Sequence, residues 1–170
     1  LSEKIKKRDP EITVEYKEKN LFEAEFRIGS DALIFILHSD VFGFDNEHSV
    51  WRTSYLQEDN SRSYCGMICV YNFLANSLKY NRGNDVGYLI ARIFINKDMH
   101  FFVEGKRQLG FLYNDFDHAV LSRKVLKSVV ESAILYCLDF DLYTPPYDEM
   151  KQVSVSEMLE ANINVKISTG

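Results

Sequence analysis

The sequence predicts an α+β fold, a mostly antiparallel sheet of about six to eight strands packed against one long helix in the C-terminal half. Three observations predict it. Residues 86–113 (VGYLIARIFINKDMHFFVEGKRQLGFLY) hold three apolar runs separated by two short polar breaks, Asn96-Lys97-Asp98 and Glu104-Gly105-Lys106-Arg107, the spacing of an antiparallel meander. Residues 12–37 repeat that style in a second meander with different residues. Leu121, Val125, Val129, Ala133 and Cys137 form one helical row with Leu126, Val130, Ile134 and Leu138 beside it, a stripe wide enough to require a large apolar surface beneath it.

The elements follow in order. Residues 1–10 are charged and end in Asp9-Pro10, which predicts a loosely attached lead-in with room for one helical turn. Ile12, Val14 and Tyr16 alternate with Thr13, Glu15 and Lys17, and Phe22, Ala24, Phe26 and Ile28 alternate with Glu23, Glu25 and Arg27; both are strands with one wet face. Leu33 to Leu37 are apolar on both faces, so that strand belongs in the middle of its sheet. Residues 38–62 read as turns, with an irregular strand from Val50 to Leu56 around Trp51 and a solvated loop at 58–62. Residues 64–78 fit a strand or a helical face; a strand to about residue 74 and a loop at 81–84 is the expectation. The helix is expected over 118–138, with Asp115 and Asp117 complementing its N-terminus. Pro145-Pro146 bars its resumption. Ser154-Val155-Ser156-Glu157 has capping-box spacing and predicts a short helix to about Ala161. Ile163, Val165 and Ile167 alternate as an edge strand or a loosely attached tail over 162–170.

Bulk composition bounds the class more than the role. The 170 residues suit one domain, and 46% hydrophobic with 26% charged residues is the balance of an ordinary soluble globular protein. The uncharged stretch from Ser63 to Leu78 is too short for a membrane span, which needs about 20 residues. The start, Leu1-Ser2-Glu3-Lys4, lacks the apolar core of a secretory leader, and a first residue other than Met suggests a trimmed chain. Three cysteines with no CxxC pair argue against a disulfide framework or zinc knuckle and point to reduced thiols in a cytoplasm. Net charge is −5, yet from Lys79 to Lys127 there are nine Lys/Arg against five Asp/Glu. A basic middle of this kind suits an anionic partner, or simply the solvent faces of the strands and helix.

No motif fixes a reaction, and an enzyme is not the favoured expectation. The favoured function is a binding module that uses an uncovered sheet face or a sheet–helix pocket for a small molecule or a protein, with Tyr88, Arg92, Phe94, Phe101, Lys106 and Arg107 as its ligand-binding residues. A homodimer through sheet surfaces is a further expectation; no cofactor, resident metal or membrane partner is expected. The alternative from another class is a metal-dependent nuclease, in which Glu104 and Lys106 of the Glu-x-Lys triplet join an upstream acid such as Asp85 or Asp98. Against it, Gly105 suits a hairpin turn with φ above zero. Asp45, Glu47 and His48 with His38 or His100, and Asp115 with Asp117 and His118, are candidate O/N metal clusters without a known signature spacing. Cys65 or Cys69 beside a histidine is a candidate nucleophile, although buried strand cysteines are the commoner case.

Ile68-Cys69-Val70-Tyr71-Asn72-Phe73 and Arg107 to Asn114 each resemble one of the paired signatures of the RNA-recognition-motif family. Cys69, Gln108, Leu109 and Asn114 stand where that family needs its aromatics and glycine, so the stacking platform is missing and the family is rejected. Generic single-stranded nucleic-acid binding remains a further alternative, since basic residues are interleaved with Tyr80, Tyr88 and Tyr113.

Overall fold

A computed structural model describes residues 3–139 and 151–160, and its seven strands form one antiparallel sheet. Strands β1 (Val14–Asn20), β2 (Glu23–Ile28), β3 (Asp31–Phe42), β4 (Cys65–Leu74), β5 (Val86–Asn96) and β6 (Phe101–Gly105) lie side by side in chain order. The seventh, β7 (Gln152–Ser154), pairs with Val86 to Tyr88 of β5, while β6 pairs with Ala91 to Ile95 further along the same edge. Each strand from β1 to β6 therefore folds back beside its predecessor, and no crossover helix is needed. The LIFIL strand is interior, between β2 and β4, as its two apolar faces required. The Asn96-Lys97-Asp98 turn also forms: the Asn96 side-chain carbonyl accepts from the backbone N–H of Asp98 and His100 at 3.0 and 2.9 Å.

Beside the long α5 (Arg123–Asp139) the described residues form short helices α1 (Glu3–Arg8), α2 (Ser54–Glu58), α3 (Ala75–Lys79) and α4 (Gln108–Leu112), of which α1 and α4 pack on α5. One face of the sheet, carrying Ile28, Leu33, Phe35, Val70, Ile93, Phe101 and Val103, packs against Val129, Ala133, Ile134 and Cys137 of α5. The register of β4 on β5 slips at Ile90, between the pairs Val70–Ala91 and Tyr71–Leu89. Ile90 and Ala91 consequently both join the α5 core, and alternation resumes beyond them.

Several sequence expectations are corrected. The third run of the 86–113 meander is helix α4, not a strand. The chain leaves β6 through Arg107 at φ 49° and tucks Leu109 into the α5 core. Gly105 is the last residue of β6, opposite Ala91, and its φ is not positive; the expected hairpin turn there does not form. A run of five residues carries too few periods to separate the two structures. Val50 to Leu56 forms a 3-10 turn over Ser49–Arg52 followed by α2, with Val50 and Leu56 buried beside Phe102 and Phe116. The long helix begins at Arg123 because Val120 bridges to His100 and Leu121 N–H donates to the Met99 carbonyl at 2.8 Å. Ser122, not Asp115 or Asp117, caps it: its hydroxyl accepts from Val125 N–H at 3.3 Å. The lead-in is packed rather than loose, since Ile5 of α1 is 1% exposed in the α5 core and Arg8 pairs with Asp139.

The second face of the sheet is covered in part, over β3 and β4. Val153, Val155 and Met158 pack there on Ala32, Ile34, Ile36, Cys69 and Phe73. The capping box forms as the spacing predicted: Ser154 N–H and hydroxyl donate to Glu157 at 2.7 and 2.9 Å, Glu157 N–H returns to the Ser154 hydroxyl at 3.2 Å, and residues 155–160 are helical. The expected strand at 163–167 lies outside the described residues. Among the described residues no helix is long and apolar enough to cross a membrane.

Candidate functional site

A groove of about 460 Å³ opens between the β1–β2 hairpin and α5. Val14, Tyr16 and Phe26 line it from the strands; Leu126, Val130 and Ile134 line it from the helix, joined by Ile5. The local sequence explains each wall. Period-2 alternation turns Val14, Tyr16 and Phe26 to one face of the hairpin, and 3.6-residue periodicity stacks Leu126, Val130 and Ile134 in one row. A twisted sheet turns its outermost strand away from a straight helix, so the gap between them widens toward the edge. Apolar surface is thereby left uncovered: Tyr16 is 60% exposed and Leu126 38%. The aromatic wall is ordered, with the Tyr16 and Phe26 rings 5.1 Å apart and Phe26 and Phe35 edge-on at 5.4 Å. Arg123, Lys127 and Glu131 supply charge to the same groove. Lys127 and Glu131 are 3.8 Å apart, whereas Arg123 has no ion-pair partner among the described residues.

The six residues expected to bind ligand do not gather in one place. Tyr88 and Phe101 are buried in the α5 core. Arg107 lies over the Tyr136 ring, 6.0 Å from its centre. Arg92 and Lys106 line a polar cleft of about 270 Å³ on the outer edge of β5, in the gap between β6 and β7, with Glu104 and Lys151. Phe94 stacks on Phe102 at 4.7 Å and lines an aromatic hollow of about 160 Å³ with Phe44 and His48. The groove beside α5 was missed. Its signal was present, because the apolar stripe of the helix includes Leu126 and Val130, more than a sheet contact along one row needs.

The Glu-x-Lys residues do share the β5-edge cleft, but Glu104 is held by Arg92 at 2.7 Å. Glu104 stands opposite Arg92, seven residues and about 23 Å along β5 from Asp85, too far for one ion to bridge. Asp85 instead accepts from the Ser77 hydroxyl at 2.6 Å, and Asp98 binds Tyr55 and Arg62 at the opposite end of the strand. Among the described residues no three His, Cys, Asp or Glu side chains gather closely enough to hold a metal ion. His48 accepts from Val50 N–H at 3.2 Å, and His118 pairs with Asp115 at 3.0 Å in solvent. All three cysteines are free and buried, and burial pushes the Cys65 thiol up to about 12, away from nucleophilic thiolate.

One buried ion cluster flanks the hairpin on the sheet's second face. The Glu25 side chain is fully buried, with Lys19 at 2.8 Å and Arg27 at 2.5 Å. Burial alone would raise its pKa; the ammonium of Lys19 and the guanidinium of Arg27 more than offset this and hold the carboxyl below its ordinary value. A carboxylate with a lowered folded-state pKa stabilises above its unfolded value, and that contribution disappears as pH falls through the lowered one. Wild-type urea midpoints are therefore expected to drop more steeply from about pH 5 to pH 3 than those of Glu25→Gln, with the two converging in acid. Parallel profiles would show that the cluster contributes nothing.

Compared with known proteins, the chain matches no family model, no curated sequence and no solved structure.

Proposed function

We propose that the protein is a binding module and that the groove between α5 and the β1–β2 hairpin receives a small amphipathic molecule. The observation that carries this reading is uncovered apolar surface inside a concavity of about 460 Å³, within the size range of small-molecule sites. An apolar body rests on Val14, Phe26, Val130 and Ile134. An acidic or sulfonate head meets Arg123, whose guanidinium is available for bidentate pairing, and Lys127. Burial of the body supplies affinity, and the cations select the charge of the head.

Anilinonaphthalene sulfonate, which has an aromatic body and one anionic head, is a suitable probe. Its fluorescence titration on the native protein is expected to saturate. Leu126→Glu, at a half-exposed groove position, is expected to weaken binding by about tenfold or more, and Arg123→Glu by several-fold with loss of salt dependence. Circular dichroism should be unchanged in both. Equal binding by both variants, or none by the wild type, would overturn the reading.

A further inference from the structure

The sheet has two unlike edges. Along β6 the outward N–H groups are engaged: Phe101 donates to the Ala119 carbonyl at 3.1 Å and Val103 to the Tyr113 carbonyl at 2.6 Å. Along β1, among the described residues, a strand partner stands on the β2 side only. Its seven residues, VEYKEKN, are exposed over the five central positions. An open edge with charges along it is ordinarily guarded against pairing. Here the order of the charges matters as much as their presence.

Consider two copies pairing β1 to β1 in antiparallel fashion. The two-fold axis relating them stands perpendicular to the joined sheet and keeps each side chain on its own face. Only registers centred on a residue are then allowed, because any other would set a residue of one face opposite a residue of the other. A centre at Glu15 opposes Glu15 to itself, and a centre at Glu18 opposes Glu18 to itself and Lys17 to Lys19. A centre at Lys17 sets Glu15 opposite Lys19 twice, but it opposes Lys17 to itself and Tyr16 to Glu18, and Lys19 is already held by Glu25 of its own chain at 2.8 Å. A centre at Tyr16 sets Glu15 opposite Lys17 of the second copy, twice, and stacks Tyr16 on Tyr16. Lys17 has no ion-pair partner among the described residues of its own chain, and Tyr16 is 60% exposed. Of the registers centred within Glu15 to Glu18, one alone pairs opposite charges without setting like charges face to face, and it stacks the exposed ring on its own copy.

We infer that the protein forms a homodimer by antiparallel pairing of β1 with β1 about Tyr16, locked by reciprocal Glu15–Lys17 ion pairs, continuing two seven-stranded sheets into one. Main-chain hydrogen bonds provide affinity, as in strand addition generally, and the charge order provides register. The inference goes beyond the groove reading and is separable from it. Glu15 and Lys17 lie on the face opposite Val14 and Tyr16, so their charges can be changed without touching the groove wall.

The test is sedimentation or light-scattering mass against concentration for the wild type, Lys17→Glu, Glu15→Lys and the exchanged double variant Glu15→Lys/Lys17→Glu. The wild type is expected to reach about twice the chain mass of 19.8 kDa. Each single variant opposes like charges twice and is expected to weaken association at least about tenfold. The exchanged variant restores both pairs and is expected to regain the wild-type mass at the same concentration. All four should share one far-ultraviolet spectrum, since both positions are exposed. A wild type that stays monomeric overturns the inference. So does a dimer indifferent to the single variants, or an exchanged variant that fails to recover.

Discussion

Phe101→Ala is expected to destabilise the protein by about 3–5 kcal/mol, a large share of the roughly 5–15 kcal/mol that a domain commonly has. Phe101 is 1% exposed and stands on the α5 face of β6, opposite Ile95 and 6.1 Å from the Tyr113 ring. Its surroundings have little freedom to collapse into the space. The β6 backbone is bonded to β5 on one side and to the Ala119 carbonyl on the other, and Ile93 and Val103 belong to the same sheet-borne core. A cavity that cannot close costs both the lost transfer energy and the lost contacts. Urea unfolding measures it: the midpoint falls while the slope stays. A loss below about 1 kcal/mol would mean that β6 is loosely packed, against the burial described. The sequence pattern placed this residue among those that bind ligand. A large stability loss with groove binding intact under native conditions separates the two roles.

Gly110→Ala is the second large effect, expected at about 2–3 kcal/mol despite adding one carbon atom. A β-carbon at this position would lie 2.4 Å from the Gly105 carbonyl oxygen and 3.2 Å from its nitrogen, backbone against backbone. No side chain can rotate to relieve this, so α4 must lift from the end of β6 and withdraw Leu109 from the α5 core. Ordinarily alanine in place of glycine stabilises a helix by up to about 1 kcal/mol. The sign of the effect therefore decides between a docked α4 and a helix standing clear of the strand. Thermal midpoints of wild type and variant give the answer, and a rise on substitution would refute the docking.

Much of the sheet was legible from the chain alone. Alternation located β1 and β2, and the two-faced apolar run at 33–37 and the apolar run from residue 86 located β3 and β5. Asn96-Lys97-Asp98 located a turn, and the Ser154–Glu157 spacing located a cap that the structure forms atom by atom. Each of these is a local property, read within a few residues. Illegible were α4 and α2, whose runs are too short for periodicity to discriminate. The start of α5 was also hidden, because Val120 and Leu121 are claimed by a distant hairpin turn at Met99 and His100.

The candidate site was less legible than the fold. Arg92, Phe94 and Lys106 do border open clefts, whereas Tyr88 and Phe101, chosen for the same aromatic character, are core. The bulge at Ile90 contributes to that separation, since it changes which residues beyond it face α5. Sequence by itself determined that strands alternate, that a broad-striped helix must cover them, and that charges stud the first strand, because all three follow from neighbours along the chain. Tertiary structure alone decided that residues 151–160 cover part of the second face and that Leu126 and Tyr16 meet across a groove. Register, twist and the path of a returning segment bring together positions about a hundred residues apart, and no local pattern encodes such distances.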